Sequence, residues 1–319
     1  MSINTNPVTL LIPVKNGYKY LNNFRKIIES NANSHDEIII IDDGSNDGSN
    51  DFLKKWSKSQ SNIKLIVTTG LGIAEALNLG ISNSTNRWIA RFDVDDEYEP
   101  NRITLQKNSI TNDTAAIFTD YDFIDDDNHS YGYLTSPIFS DATAVSLVNS
   151  SRTAHPSAMY DKEAILEVGG YLSEDFPAED LSLWIRLSKI SKIISVPNLL
   201  LHYRIRKGSI TSNQRDESIA KKLKLISKAS HLHNNYIYCL ENFEEIIEQY
   251  QLLPNSNQRK LLFLRDMLAA NTLLCSKSSK KFSLLNKSFK SLNLPSTIIE
   301  LFELNKDKNK RANLRNSFK

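Results

Sequence analysis

The sequence predicts an α/β fold in which a mostly parallel central sheet is flanked by helices and followed by a helical C-terminal region. Short apolar runs rich in β-branched residues alternate with segments whose apolar residues have helical spacing. The run Ile38 to Ile41 has no polar alternation, as expected for a strand covered on both faces in a parallel sheet. From about Asp216 onward the spacing is almost wholly helical. Alternating strands and helices imply right-handed crossovers between parallel neighbours.

Four strands are predicted within the first hundred residues, each as an apolar stretch with a clear end. They cover residues 8–12, 38–41, 64–67 and 88–92. Amphipathic helices are predicted after the first three strands, because apolar residues recur there three or four positions apart. The second and fourth strands end in the acidic clusters Asp42-Asp43 and Asp93 to Asp96. Ligands of open parallel sheets sit at the carboxyl ends of strands, so we expect both clusters to face one crevice.

The second half of the chain has a less regular pattern. A fifth strand is predicted over residues 115–119, and the acidic segment Asp120 to Tyr133 is predicted to be a loop. Residues 164–168 predict a short helix that ends at Gly169-Gly170. Another helix is predicted just after residues 177–180.

Length, charge and helical spacing predict the domain organisation. The 319 residues exceed one average domain. We expect a first domain over residues 1–215, with halves at about 1–98 and 99–215, and a helical region over 216–319. Residues 276–319 carry 11 Lys and Arg against 3 Asp and Glu, a local charge of +8, which predicts a basic tail.

Composition excludes several classes of protein. The net charge of +2 favours no nucleic-acid partner. The cysteines are Cys239 and Cys275, far apart in sequence, which excludes a disulfide framework and a thiolate zinc site. The start of the chain has no cationic stretch before its short apolar run, and no run of about 18 apolar residues occurs. These features predict a cytoplasmic protein without a membrane span.

The segment Arg91-Phe-Asp93-Val-Asp95-Asp96 is the sharpest chemical feature. Carboxylates are hard oxygen ligands that suit Mg²⁺ or Mn²⁺, and such ions usually keep positions for phosphate oxygens. The segment therefore predicts a site for a metal ion and a diphosphate. The alternative is an acidic loop that caps the following helix near Pro100.

Three further segments offer chemical groups. Glu179-Asp180 opens a helix whose N-terminal dipole stabilises carboxylates, so the pair is either a cap or a general base. Tyr203 to Ser209 offers three cations and a hydroxyl, which suits a clamp on phosphate oxygens or a solvated basic loop. His155-Pro156 is a weaker candidate, because one histidine beside a proline is more often structural than catalytic.

Six segments, taken in order, closely resemble the motifs of glycosyltransferase family 2. They are Ile12 to Asn16, Ile40 to Asp47, Gly70 to Asn78, Ala90 to Asp96, His155 to Ser157 and Glu179 to Trp184. The resemblance covers about residues 7–212. It implies a GT-A fold, which is Rossmann-like, and inverting transfer of a sugar from a nucleoside diphosphate donor.

The resemblance also implies roles for individual residues. Asp180 is expected to be the catalytic base, with Glu179 beside it. Asp93 and Asp95 would form the D-x-D pair, and Asp95 would contact Mn²⁺ or Mg²⁺ directly. The expected nucleotide-sugar contacts are Pro13, Val14, Asn16, Asp43, Ser45, Gly72, Ala76, Asn78, Arg91, Asp93, Arg204, Arg206 and Ser209, and the expected acceptor contacts are His155 and Trp184.

The chain departs from the family pattern in two places. Arg206 stands where many relatives carry a histidine, so a histidine ligand to the metal is not expected there, whereas a cation at this position could still hold diphosphate. Residues 29–36 lack the usual aromatic-containing motif before the second strand. This difference is expected to change the shape of the nucleotide pocket at its edge, but not the transfer reaction.

Together these expectations describe a bacterial cytoplasmic enzyme that transfers a sugar, with UDP-sugar as the expected donor, to a glycan or lipid-linked acceptor of capsule or lipopolysaccharide. The helical region is expected to pack on the catalytic domain, to form a homo-oligomer, or to associate peripherally with the anionic inner membrane through its basic tail. Two alternatives are a non-catalytic relative that binds nucleotide sugar or glycan, and a metal-dependent phosphohydrolase that uses the same crevice.

Overall fold

The computed structural model describes residues 6–148, 152–206 and 214–274. Ser209, Cys275 and the predicted basic tail lie outside the described residues. The strands are β1 (Val8–Val14), β2 (Glu37–Asp42), β3 (Ile63–Val67), β4 (Trp88–Arg91), β5 (Glu97–Tyr98), β6 (Thr114–Ile124), β7 (Ser130–Leu134), β8 (Met159–Asp161) and β9 (Lys192–Arg204). The α-helices are α1 (Tyr18–Asn31), α2 (Ser49–Ser59), α3 (Ile73–Asn83), α4 (Arg102–Asn108), α5 (Ser140–Leu147), α6 (Lys162–Glu167), α7 (Glu179–Leu187), α8 (Arg215–Lys228), α9 (His231–Glu241), α10 (Phe243–Gln251) and α11 (Ser256–Leu274).

These strands form one sheet in the order β3-β2-β1-β4-β8-β6-β9-β5, with β7 paired to β6. In the first half of the sheet, β1 to β4, neighbouring strands are parallel. Their carboxyl ends therefore meet at one edge. In the second half, β5 to β9, the short strand β8 runs antiparallel to both β4 and β6, while β6 and β9 are parallel. The sheet is thus regular on one side of β8 and mixed on the other.

The first half of the sheet confirms the strands and helices predicted for it. Every residue of β1 is buried, which explains its continuous apolar sequence. Helix α3 lies very close to this strand, because a Cβ built on Gly80 would come within 2.1 Å of Leu11 Cδ1. Only glycine permits this approach of helix to strand.

The prediction of a loop over Asp120 to Tyr133 is wrong. Strand β6 continues to Ile124, and β7 pairs with it as a hairpin. The acidic side chains that suggested a loop have distant basic partners, since Asp120 contacts Arg259 and Asp122 Oδ1 lies 2.7 Å from His202 Nδ1. Neutralised in this way, carboxylates are compatible with a largely buried strand.

Apolar side chains pack on both faces of the sheet. One cluster joins β1, β2 and β4 to α1 and α2. The other joins the opposite face to α3, α5 and α7 and continues without interruption into α8 to α11. The described C-terminal helices therefore pack on the sheet domain. This packing is one of the three arrangements expected for them from the sequence. The domain boundaries themselves stay a prediction.

Two buried ion pairs connect α11 to the second half of the sheet. Arg259 Nη2 donates to Asp120 Oδ2 at 2.5 Å, and both side chains are fully buried. Arg152 Nη2 lies 2.7 Å from Asp266 Oδ2, again with almost no exposure. Burial raises the pKa of Asp120, and Arg259 opposes this rise. Each partner thus compensates a charge that would otherwise be buried alone.

A search of the described helices finds none that combines the length and the apolar character needed to cross a bilayer.

Candidate active site

Asp43 follows β2, and its carboxylate holds together the loop that begins α3. Oδ1 accepts hydrogen bonds from Thr68 Oγ1 and from the N–H of Leu71, both at 2.6 Å, and Oδ2 accepts from the N–H of Gly72 at 3.0 Å. Lys15 Nζ lies 3.8 Å from Oδ2. Burial alone would raise the pKa of Asp43, but these donors outweigh it and lower the pKa. Asp43 is therefore an ionised group with most of its acceptor capacity in use.

The end of β1 is joined to the loop after β2. Pro13 and Val14 are buried at the strand end, whereas Asn16 is exposed and has a φ of +55°, in the left-handed region. The N–H of Asn16 donates to Ser45 Oγ, and its Oδ1 accepts from the N–H of Asn46, both at 2.9 Å. This reciprocal pair fixes the two loops beside Asp43.

Three predicted donor contacts near α3 have different surroundings. Gly72 has a φ of +91°, and no described atom lies within 4 Å of the position of an added Cβ, so it borders open space. Ala76 is 1% exposed and packs in the core, which corrects its predicted contact with a nucleotide sugar. Asn78 makes hydrogen bonds to the backbone of Tyr171 at 2.8 and 2.9 Å. A contact between Asn78 and the donor stays a prediction.

The acidic loop after β4 pairs its first two aspartates with arginines. Arg91 Nη1 donates to Asp93 Oδ2 at 2.9 Å, and Arg206 Nε lies 2.7 Å from Asp95 Oδ2 as an ion pair. The Arg91 side chain is buried, whereas that of Arg206 is 40% exposed. Burial raises the pKa of Asp93, while Arg91 opposes the rise and Asp95 adds to it. The loop thus concentrates negative charge between one fixed cation and one accessible cation.

The Asp93 and Asp95 carboxylates suit a divalent cation that takes its other ligands from diphosphate and water. Their side chains are 25% and 18% exposed, so both are accessible from the crevice. Magnesium is commonly bound by one or two carboxylates together with substrate phosphates. The donor set therefore fits Mg²⁺ or Mn²⁺, with Arg206 competing for Asp95.

A separate group of metal-type ligands lies at the tip of the β6–β7 hairpin. The ligand atoms of Asp125, Asp127 and His129 lie within 4.8 Å of one another. Asp125 Oδ1 already accepts the N–H groups of Asp127 and His129, each at 2.9 Å. The N–H of His129, followed by that of Asp127, lowers the pKa of Asp125. These bonds close a hairpin turn, and the sequence analysis did not single it out.

The sequence predicts that Arg204 contacts diphosphate, but its side chain is buried. It is 5% exposed, and its N–H donates to Asp96 Oδ1 at 2.8 Å. Its guanidinium donates to the Asp95 carbonyl at 2.7 Å, to Asn128 Oδ1 at 2.5 Å and to the Asp125 carbonyl. Arg204 therefore joins the acidic loop to the hairpin tip, and Arg206 is the accessible cation of this pair.

Glu179 and Asp180 lie in the first turn of α7, whose N-cap is Ala178. Neither carboxylate occupies the N-cap position, which their alternative role as a helix cap would require. Asp180 is half-buried, and its Oδ1 accepts the N–H of Leu181 at 2.6 Å. Glu179 is only 9% exposed, and burial, together with the charge of Asp180, raises the pKa of Glu179 to about 7. Glu179 thus holds a proton more readily than a solvated glutamate does.

His155 lies in a short 3-10 turn, with Nε2 2.7 Å from Tyr171 Oη. Burial lowers the pKa of His155 well below its usual value, and Arg91 lowers it further, so the ring is neutral. Trp184 packs edge-on against His155, with ring centroids 5.7 Å apart, and is 1% exposed. It therefore supports His155 from within the core, which corrects its predicted contact with an acceptor.

The sequence analysis missed Thr68 and Tyr171, which hold Asp43 and His155 respectively. Thr68 follows the third strand, so its position at a strand carboxyl end was an available signal. Tyr171 directly follows Gly169-Gly170, but nothing local indicated that its hydroxyl reaches His155.

Comparison with known proteins decides the family. The profile described as Glycosyl transferase family 2 matches residues 9–169, which is half of the chain. The chain belongs to glycosyltransferase family 2. All six motifs except the last lie within the matched residues.

Curated family 2 relatives are similar over much of the chain. Glycosyltransferase GlyG of Streptococcus pneumoniae is 25% identical over 284 residues, covering 80% of this chain and 94% of the relative. TuaG of Bacillus subtilis, a putative teichuronic acid biosynthesis glycosyltransferase, is 24% identical over 217 residues, covering 65% of this chain and 82% of the relative. An uncharacterized glycosyltransferase of Rickettsia bellii is 26% identical over 205 residues, and the match spans only 29% of its length.

Solved structures that superpose on the chain confirm the GT-A fold. The S. aureus TarS fragment in complex with UDP-GlcNAc superposes with a TM-score of 0.60 at 12% identity, covering 88% of this chain and 84% of that one. The mannosyltransferase PcManGT of Pyrobaculum calidifontis, in complex with GDP-Man and Mn²⁺, has a TM-score of 0.53 at 14% identity, with 97% and 83% covered. The predicted α/β architecture with helical C-terminal elements is therefore confirmed.

Proposed function

We propose that the protein is an inverting glycosyltransferase that transfers a sugar from a nucleoside diphosphate donor to a hydroxyl of a glycan or lipid-linked acceptor. The position of Arg91 carries the proposal. Its buried guanidinium bonds Asp93, and its charge also lowers the pKa of His155 and acts against the raised pKa of Glu179. A single buried cation thus bonds the acidic loop suited to diphosphate and also acts electrostatically on Glu179, in the carboxyl pair suited to an acceptor.

The hydrogen bonds that Asp43 already accepts support uracil as the base of the donor. A carboxylate has about four acceptor positions; Thr68 and Leu71 occupy both on Oδ1, and Gly72 occupies one on Oδ2. The remaining position can accept one N–H, as uracil offers, and Lys15 beside it can donate to a neighbouring carbonyl. The base edge of guanine presents two adjacent donors and would leave one unpaired. We therefore expect UDP to bind more tightly than GDP.

Asp93 and Asp95 are the residues that would hold Mn²⁺ or Mg²⁺. The bound ion would supply positive charge against the diphosphate leaving group. Arg206 supports the same role, because its exposed guanidinium can pair with phosphate oxygens once it leaves Asp95. The hydrogen bond from Arg91 keeps the Asp93 carboxylate oriented.

Asp180 is proposed as the general base. Its carboxylate accepts the proton of the acceptor hydroxyl as the oxygen attacks the anomeric carbon, and the bond from that carbon to the diphosphate oxygen breaks. Attack opposite the leaving group inverts the anomeric configuration. Glu179, with its pKa raised to about 7 by burial and by the charge of Asp180, is proposed to favour this role, because its protonated form adds no second negative charge beside the base. His155 is proposed to contact the acceptor as a neutral hydrogen-bonding group.

The named relatives support an acceptor in a bacterial surface glycan. TuaG is named for teichuronic acid biosynthesis, and TarS was solved with UDP-GlcNAc. We propose a cytoplasmic enzyme that acts on a capsule or lipopolysaccharide precursor. Peripheral attachment to the inner membrane through the tail over residues 276–319, and a homo-oligomer formed by the C-terminal helices, are part of the same proposal.

Thermal stabilisation by UDP, GDP, UDP-sugars and GDP-sugars, with Mn²⁺ or with EDTA, tests the donor site. A ligand at 100 times its Kd adds about 2.7 kcal/mol of stability. We expect a Mn²⁺-dependent shift with UDP compounds that Asp95→Ala abolishes and Asp216→Ala, an exposed acidic control at the start of α8, retains. Equal shifts for Asp95→Ala and the unchanged chain would remove Asp95 from the site. Release of phosphate from p-nitrophenyl phosphate, without any nucleotide effect, would favour a phosphohydrolase instead.

A further inference from the structure

Asn78 bridges two segments that are far apart in sequence. Its Nδ2 donates to the carbonyl of Tyr171 at 2.8 Å, and its Oδ1 accepts the N–H of Tyr171 at 2.9 Å. A side-chain amide thus engages both backbone groups of one residue, as a neighbouring strand would. Because a buried backbone group without a partner is costly, this pair determines where Tyr171 can lie.

The turn before Tyr171 is shaped around the same amide. Gly170 has a φ of +69°, and a Cβ added there would lie 2.7 Å from Asn78 Oδ1. Arg186, on α7, donates to the carbonyl of Gly170 at 2.7 Å and also to that of Val168. The turn is therefore held on one side by α3 and on the other by the helix that carries Glu179 and Asp180.

Both ends of this arrangement lead to functional groups. Tyr171 Oη lies 2.7 Å from His155 Nε2. The N-terminal end of α3 is fixed to Asp43 through the N–H groups of Leu71 and Gly72. Helix α3 itself cannot slide on β1, because Gly80 packs directly on Leu11. Asn78 is thus the point where a rigid donor-side helix meets the acceptor side.

We propose that Asn78 is a positioning residue: it holds Tyr171, and through Tyr171 the His155 ring, in register with the donor site. This inference rests on the proposed function for its catalytic consequence, but not for its geometry. A misplacement of about 1 Å at a site of group transfer can cost about 100-fold in rate. Both amide atoms of Asn78 are bonded to Tyr171, so loss of Asn78 should slow the reaction with little effect on UDP affinity, whereas the direct donor contact predicted from the sequence would lower that affinity as well.

Asn78→Ala tests the proposal, with Asn83→Ala as the matched control. Asn83 lies on the same helix, where its amide donates to the Leu79 carbonyl and accepts from Lys64, away from Tyr171. Three quantities are measured for each full-length variant: UDP affinity by calorimetry with Mn²⁺, UDP release from UDP-GlcNAc, UDP-glucose and UDP-galactose, and the imidazole ¹⁵N resonances. The chain has six histidines, and His155→Gln assigns the His155 signal.

For Asn78→Ala we expect a shifted His155 resonance, UDP release slowed about 10- to 100-fold, and UDP affinity within twofold of the unchanged chain. Asn83→Ala should change none of these. An unchanged His155 resonance in Asn78→Ala overturns the proposal whatever the rate, and so does a fall in UDP affinity as large as the fall in rate. If Asn78→Ala does not fold, Asn78→Asp, which keeps the acceptor for the Tyr171 N–H and loses the donor, takes its place with the same expectations.

Absence of UDP binding and release in the unchanged chain would contradict the proposed function. The His155 resonance would still decide whether Asn78 positions that ring. The two failures are therefore distinguishable.

Discussion

The two halves of the sheet hold their carboxylates by different means. In the first half, Asp43 is held by Thr68 and by the N–H groups of residues 71 and 72, 25 to 29 positions away and on adjacent loops. In the second half, Asp120 accepts hydrogen bonds from Tyr133 Oη and the N–H of Ser136, but the cation that pairs with its charge is Arg259, 139 positions away on the last described helix. The partners of Asp43 thus come from the first half alone, whereas the buried charge of Asp120 needs a C-terminal helix. Four predictions test this contrast.

The largest effect is expected from Asp180→Asn. Loss of a general base typically slows a reaction about 10²- to 10⁴-fold, up to about 5 kcal/mol of activation free energy. Since Asp43 and the acidic loop are untouched, UDP affinity should stay within about threefold, as measured by calorimetry beside single-turnover rates. Asp216→Asn, an exposed acid at the start of α8, is the control. Full residual turnover would show that Asp180 is not the base.

Arg259→Met should be strongly destabilising, because it breaks a fully buried ion pair. Removing one partner leaves Asp120 buried without its cation, which costs about 3–5 kcal/mol. Denaturant unfolding measures this loss, and Lys260→Met, the neighbour on α11, should cost far less. Adding Asp120→Asn should recover part of the loss. If the C-terminal region does not stabilise the sheet, the two methionine variants should have the same free energy of unfolding.

Glu179→Gln should stabilise the protein in a pH-dependent way. The pKa of Glu179 is raised from 4.5 to about 7 in the fold, so over this interval the folded chain keeps a proton that the unfolded chain loses. Stability therefore falls between about pH 4.5 and pH 7 and the penalty is constant above. We expect the variant to be about 2 kcal/mol more stable than the unchanged chain at pH 8 and nearly equal at pH 4.5. Equal stability at both values would contradict the burial penalty.

Thr68→Val should have the smallest effect. It removes one of three hydrogen bonds to Asp43, at a cost of about 1 kcal/mol. UDP affinity should fall several-fold because the carboxylate is less firmly oriented. The adjacent exposed residue provides the control Thr69→Val. If the control weakens UDP binding as much as Thr68→Val, the hydrogen bond to Asp43 is not the cause.

The same contrast explains what the sequence could predict. Strands β1 to β4 are continuous apolar runs, and their acidic ends are adjacent in sequence, so local patterns were sufficient. The D-x-D pair and the Glu179-Asp180 pair were also identified from local patterns, and their roles stay predictions. Segment Asp120 to Tyr133 has an acidic, loop-like sequence, and no local pattern indicates that Arg259 and His202 pair with its carboxylates.

The sequence alone also does not indicate which of two nearby arginines is exposed. Arg204 and Arg206 are two positions apart, yet the first is buried at the end of β9 and the second is exposed beyond it. Only the pairing of β9 with β6, which ends at Arg204, decides between them. Likewise, Trp184 and Ala76 belong to motifs of the family but face the core, because one helix face must cover the sheet.

The long sequence distance between Asp120 and Arg259 also bears on biosynthesis. At about 5–20 residues per second, the 139 residues that separate them take roughly 7 to 28 s to be translated. During that time β1 to β4 can already fold on the ribosome, while β6 carries a carboxylate whose cation does not yet exist. An incomplete nascent chain would therefore present an ordered first half of the sheet beside a second half in which the Asp120 carboxylate still lacks its cation.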